Sequence, residues 1–173
     1  MRGRLSTTRP ARKSAAVSTS ATPCAIRGRL RLIAAYAAHN WELFGMRAWM
    51  PAFLTSLWVQ QGVPLTTATA RGATFSSLVL LASGASNATG GWLSDSLGRR
   101  KTIVLFLTAS AVVSATIGWT LPLGLSVVMA LAILYGLLVT ADSSTLSTAV
   151  AESADPDALG ATMAVQSSLG FLV

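Results

Sequence analysis

Four long apolar runs constrain this chain more than anything else in it: residues 32–58, 73–93, 103–119 and 123–150. Each is close to the ~20 residues a helix needs to cross a hydrocarbon core of roughly 30 Å. The first is long enough to tilt and the third sits at the short end of the range. Connections of residues 59–72, 94–102 and 120–122 leave no room for a soluble domain between them. A fifth run, residues 156–173, opens where Asp155 and Pro156 make a helix start, the acid as cap and the proline at the first helical position. Its apolar part, 159–173, would rise only about 22 Å as a helix, short of a full crossing. The expected fold is all-α, a multi-pass transmembrane helix bundle of four full spans and a truncated fifth.

Composition agrees. The chain is 52% hydrophobic and 11% charged, against about 25% charged for a soluble domain. Of its thirteen Lys and Arg residues, eight lie before Leu32 with no acid among them, so the net +7 belongs to the N-terminal tail. The basic balance therefore does not point to nucleic acid. Residues 1–31, rich in Arg, Ser, Thr and Ala, are expected to be a disordered cytoplasmic tail that helps fix topology. A linker, an organelle-targeting segment or a contact with anionic headgroups fits the same composition. The single cysteine, Cys24, permits no intramolecular disulfide and suggests no metal site.

Orientation follows from the basic residues. The tail and the Arg99-Arg100-Lys101 turn both belong on the cytoplasmic side by the positive-inside bias, and the two spans between them keep the parity. The turn at Pro122 and the loop at 64–71 then face outward, and the 152–157 loop faces inward. Trp58, Trp92 and Trp119 fall at span ends, where interfacial aromatics collect. The expected location is the cell (inner) membrane with a cytoplasmic N-terminus.

Small residues recur at helical spacing on the second span (Gly84, Ala88, Gly91, then Asp95) and on the fourth (Gly136, Thr140, Ser143, Ser147). Such stripes let helices approach closely in lipid, and both faces call for partner helices. Intramembrane charge is more informative, since each such group costs about 3 kcal/mol unless paired or facing water. The first span holds His39, Glu42 and Arg47. His39 and Glu42 are three apart and share a face, and Arg47 lies about a turn and a half beyond. The set suits a polar cavity in which His39 and Glu42 carry a proton and Arg47 meets an anionic solute. An internally neutralised structural cluster explains the same residues. Pro51 leaves the carbonyl of Arg47 without its helical donor. Asp142, in the cytoplasmic half of the fourth span, is a charge partner for a basic group.

The turn itself, GGWLSDSLGRRKT (residues 90–102), carries the pattern Gly91-x-x-x-Asp95-x-x-Gly98-Arg99-Arg100. This resembles the signature loop of the major facilitator superfamily, which joins the second and third helices of a six-helix half. Ser96 stands where that family usually has a basic residue. The runs YAAHNWELFGMRAWMPAFL, ADSSTLSTAVAE and MAVQSSLGFLV are similar to seventh, tenth and eleventh helices of some bacterial members, so the resemblance favours a C-terminal half. It implies a membrane solute transporter working by alternating access, gradient-coupled, with the loop residues Gly91, Asp95, Gly98, Arg99 and Arg100 controlling the conformational change. Such a transporter has twelve helices, so the chain is expected to be a fragment or to need the missing half as partner.

Two other classes fit some of these residues. One is a non-transporting membrane partner or regulator of a complete transporter. The other is an intramembrane serine protease with Ser86, in Gly84-Ala85-Ser86, as nucleophile and His39, the only histidine, as base. His39-x-x-Glu42 is too little for a metal site. No enzyme activity, cofactor, nucleotide fold or phosphate loop is expected. The expected partners are a small-molecule solute and the lipid bilayer, with no nucleic acid.

Overall fold

The structure, a computed structural model, describes residues 23–172. Six α-helices run in order: α1 (Pro23–Gln60), α2 (Leu65–Leu97), α3 (Arg99–Ile117), α4 (Leu125–Ala141), α5 (Ser143–Ser153) and α6 (Leu159–Phe171), with 3-10 turns at Gly118–Leu123 and Pro156–Ala158. The described residues hold no β-strand. Most of the tail, residues 1–22, lies outside the described residues.

Helix ends and apolar boundaries do not coincide. α1 begins at Pro23, where proline suits a first turn, and carries Arg27, Arg29 and Arg31 as helical residues before the apolar run starts. Its 38 residues would extend about 57 Å, well beyond a hydrocarbon core. α2 likewise starts at Leu65 and runs to Leu97, taking in more than half of the first stretch read as a connection and the start of the second. A charge ends a hydrophobic run without ending a helix, because the backbone stays hydrogen-bonded where the solvent changes. The real break between α2 and α3 is one residue, Gly98, at φ 89°. That left-handed backbone is open to glycine and strained for other residues.

Two helical stretches among the described residues, Arg99–Leu123 and Leu125–Ser153, are long and apolar enough to cross a membrane by composition alone. α1 and α2 have the length, but the charges of α1 and the Ser, Thr and Gly content of α2 dilute their hydropathy. The fourth apolar run is one stretch in sequence and two helices in structure. It is interrupted at Asp142, a turn residue between α4 and α5. Asp155 accepts from the Asp157 N–H at 3.0 Å and caps the 3-10 turn that leads into α6.

The main core is built from a helical stripe on α1: Leu43, Met46, Met50, Leu54 and Leu57. It meets Val79 of α2 and Val128, Ala132, Tyr135 and Val139 of α4. Spacings of three and four keep these residues on one face, which a continuous apolar run does not reveal by itself. Trp58, expected at the interface, is buried at 4% exposure and stacks on Phe75 at 5.1 Å, whereas Trp92 and Trp119 are 71% and 81% exposed. α1 and α2 meet over a short turn, so Trp58 has a neighbouring helix to cover it.

α2 and α4 cross closely. A Cβ on Gly136 would come within 2.8 Å of Val79 Cγ1, and one on Gly90 would collide with the Ala141 carbonyl. The contact face of α2 is Ser83, Ser86, Gly90 and Ser94, all buried. The expected stripe lies one position round: Gly84 and Ala88 are exposed, while Gly136 and Thr140 of α4 are buried as expected. Replacing Gly90 with alanine should therefore destabilise the bundle by about 2 kcal/mol. Gly91→Ala, which meets open space, should be near neutral. Thermal unfolding in detergent micelles reads the difference, and equal midpoints for the two variants would deny the tight crossing.

Candidate functional site

Two polar centres stand at different depths of the bundle. The outer one is the turn after α2. Gly98 reverses the chain so that Arg99, first residue of α3, reaches back over the end of α2. Its Nη1 donates to Asp95 Oδ1 at 2.7 Å and to Ser94 Oγ at 2.8 Å. Its other edge forks onto Glu152 at the end of α5, Nη2 to Oε1 at 3.0 Å and Nε to Oε2 at 3.3 Å. One guanidinium thus ties α2, α3 and α5 together through a two-pronged contact that a lysine could not reproduce. The Glu152 and Asp95 carboxylates hold the Arg99 guanidinium above its ordinary value. Asp95 and Glu152 are 71% and 54% exposed, so the tie is screened by salt and easily released. Ser96, at the position of the usual basic residue, is exposed and donates to the Trp92 carbonyl at 2.9 Å. Arg100 points to solvent.

The inner centre is buried. His39 of α1 and Asp142 at the α4/α5 break are each 1% exposed, with Nδ1 of the ring 3.0 Å from Asp142 Oδ1. Neither atom makes an aligned hydrogen bond, so the contact is an electrostatic approach rather than a directed bond. On the other side of the ring Nε2 lies 2.8 Å from Ser143 Oγ. Which of the ring and the Ser143 hydroxyl donates in this contact depends on the tautomer of the ring. One turn along α1, Glu42 Oε2 accepts from Ser110 of α3 at 3.0 Å, and Tyr135 of α4 donates to Ser114 of α3 at 3.0 Å.

Buried polar atoms of Asn40, Thr140, Gln166 and Glu42 have no hydrogen-bond partner among the described residues. Gln166 of α6 donates only a long 3.4 Å bond to Ser147 of α5. Several such atoms together mark a place where water or a polar ligand supplies the missing bonds.

The sequence-derived residues sort clearly. His39 and Glu42 occupy neighbouring layers of the interior, and Asp142 joins His39 rather than an arginine. Arg47 is not in this centre; it is exposed, its guanidinium 5.9 Å from the Phe44 ring. Ser86 donates to the Ser83 carbonyl at 2.6 Å and is not bonded to His39. Ser143, His39 and Asp142 share the connectivity of a hydrolase triad, with His39 and Asp142 fully buried. Five participants escaped the sequence reading: Glu152 as the partner of Arg99, and Asn40, Ser110, Ser143 and Gln166 inside. Asn40 and Gln166 were visible as polar residues within apolar runs. Glu152 was visible only as an acid on the same predicted side as Arg99. The described residues contain no cluster of three or more His, Cys, Asp or Glu side chains fit to hold a metal.

The sugar (and other) transporter family matches residues 18–173, nearly the whole chain. The chain belongs to that family. It is a membrane protein of the major facilitator type, built as a multi-pass helical bundle and serving solute transport. No curated protein and no solved structure matches it significantly.

In this transporter the inner pair should be far costlier to disturb than the outer tie. Asp142→Ala leaves His39 Nδ1 facing an apolar hole and should destabilise the bundle by about 3 kcal/mol. Replacing both partners, His39→Phe with Asp142→Leu, should cost less than the single change, because no polar atom is then stranded. Unfolding midpoints in detergent test this, and a double variant worse than the single would overturn it.

Proposed function

We propose that the transporter works by alternating access, driven by a proton gradient through His39 and Glu42. The observation that carries this reading is the His39–Asp142 pair: two fully buried titratable groups 3.0 Å apart, with the acid at the joint between α4 and α5. A proton gained or lost there changes the charge of a contact that crosses from α1 to a helix break. Burial makes that change expensive unless the helices move to accommodate it. Glu42, hydrogen-bonded to Ser110, extends the same chemistry one turn further. The unpartnered atoms of Asn40, Thr140 and Gln166 are where water would link these groups to solvent.

Asp95, Gly98, Arg99 and Arg100, with Gly91 before them, act at the cytoplasmic end. The bridge from Arg99 to Asp95 and Glu152 closes the ends of α2, α3 and α5 in one state and opens in the other, a cheap step for an exposed ion pair. Arg47, exposed beside Phe44, is the group assigned to an anionic solute. The exposed small face of α2, at Gly84 and Ala88, takes a helix from the remaining half of the transporter. The bundle sits in the inner membrane with its N-terminus and the Arg99 turn in the cytoplasm.

Proteoliposomes made with the chain joined to the remaining half of the transporter, weakly buffered and given a panel of sugars and organic acids, test the coupling. Solute entry should bring protons with it, read by an entrapped pH dye. Glu42→Gln and His39→Gln should each abolish the proton signal. Solute uptake with an unchanged proton signal in Glu42→Gln would remove Glu42 from the mechanism.

A further inference from the structure

A groove of about 550 Å³ opens between the ends of α1, α3 and α5, on the side carrying the Arg99 turn. Its upper wall is apolar, made by Leu32, Ile103 and Val104, and its mouth carries Arg31, Arg99 and Arg100 with one acid, Glu152, so that it is basic on balance. Arg99 is occupied with Asp95 and Glu152. Arg31 and Arg100 are exposed and take part in no ion pair among the described residues.

The acids available to them can be counted. The chain has six: Glu42, Asp95, Asp142, Glu152, Asp155 and Asp157. Asp142 is committed to His39, Glu42 to Ser110, and Asp95 and Glu152 to Arg99. Asp155 and Asp157 form a capped turn of their own, and neither lines the groove. Residues 1–22 hold no acidic side chain at all, only further Arg and Lys. Arg31 and Arg100 are thus open to an anion from outside the chain.

From this we infer that the groove is a binding site for the headgroup of an anionic phospholipid. Its phosphate lies between Arg31 of α1 and Arg100 of α3, and an acyl chain runs along Leu32, Ile103 and Val104. Val104, 57% exposed, continues the apolar wall from the basic mouth toward the hydrocarbon. This gradient from guanidinium to aliphatic surface within two turns of α3 matches a lipid rather than a free phosphate ion, which has no use for the wall. Arginine is the suited donor because its planar fork meets two phosphate oxygens at once. The cytoplasmic leaflet, where the orientation rule puts this end, is the one rich in anionic lipid. The site is separate from the His39 centre, so it stands whether or not proton coupling does.

Native mass spectrometry of the purified full chain in detergent, titrated with short-chain phosphatidylglycerol or phosphatidylcholine, tests the site. One phosphatidylglycerol should be retained preferentially. Arg31→Gln and Arg100→Gln should each weaken its retention about fivefold. Arg27→Gln, an exposed arginine outside the groove, should change it little. Both lining residues are exposed, so folding is not at stake, and Val104→Asn offers an independent check by spoiling the apolar wall without adding a charge beside Arg100. Equal retention of the two lipids, or a loss in Arg27→Gln matching that in the groove variants, would overturn the site. Displacement of the lipid by millimolar inorganic phosphate would show a simple anion site and overturn the lipid assignment.

Discussion

The close crossing of α2 and α4 governs where every polar group in this bundle ends up. Glycines at 90 and 136 bring the two backbones nearly into contact, with Gly90 against the Ala141 carbonyl and Gly136 against Ser83 and Val79. In lipid no hydrophobic force holds helices together, so this van der Waals approach has to supply much of the cohesion. Asp142 follows Ala141 directly. Pinning that carbonyl to α2 fixes where the helix breaks and aims the carboxylate at His39. Ser144 and Thr145 then reach back to the carbonyls of Asn87 and Gly90 at 3.3 and 3.4 Å, so the joint is tied to α2 on its far side as well.

From the crossing, α2 runs on to Gly98 and the Arg99 turn. The same helix therefore connects a buried, strongly held pair to an exposed, weakly held one. The contrast between them is physical rather than topological. A charge in the interior has no water to fall back on, so the His39–Asp142 arrangement resists being pulled apart. The Arg99 bridge is bathed in water and salt, so it can open and re-form at little cost.

Different parts of this were legible in the sequence for different reasons. The helical class, the membrane and the turn at Gly98 could be read because each depends on local chemistry: long apolar runs, a charge-poor composition, a glycine followed by three cations. His39, Glu42 and Asp142 stood out because ionisable residues in apolar runs are costly anywhere. Their partners did not, since Ser110, Ser143 and Glu152 are ordinary residues made important by what another helix brings to them. Arg47 shows the opposite error. Nearness along α1 suggested that it joins His39 and Glu42, but it lies on the exposed face, where Phe44 is its neighbour. The small-residue stripe on α2 was placed one position out for a similar reason. Spacing shows that two residues share a face without saying which face meets a neighbour.

By itself, then, the sequence determined the solvent this protein lives in, the helical class that solvent demands, the reversal at Gly98, and the cost of each intramembrane charge. These follow from the transfer free energies and backbone freedom of single residues, which do not depend on the rest of the fold. The tertiary structure decided the break at Asp142, the pairing of Asp142 with His39, the reach of Arg99 to Glu152 across 53 residues, and the groove below Arg31 and Arg100. Each of these depends on the distance between helices far apart in the chain. That distance is set by which small faces interlock, and a one-dimensional pattern does not contain it.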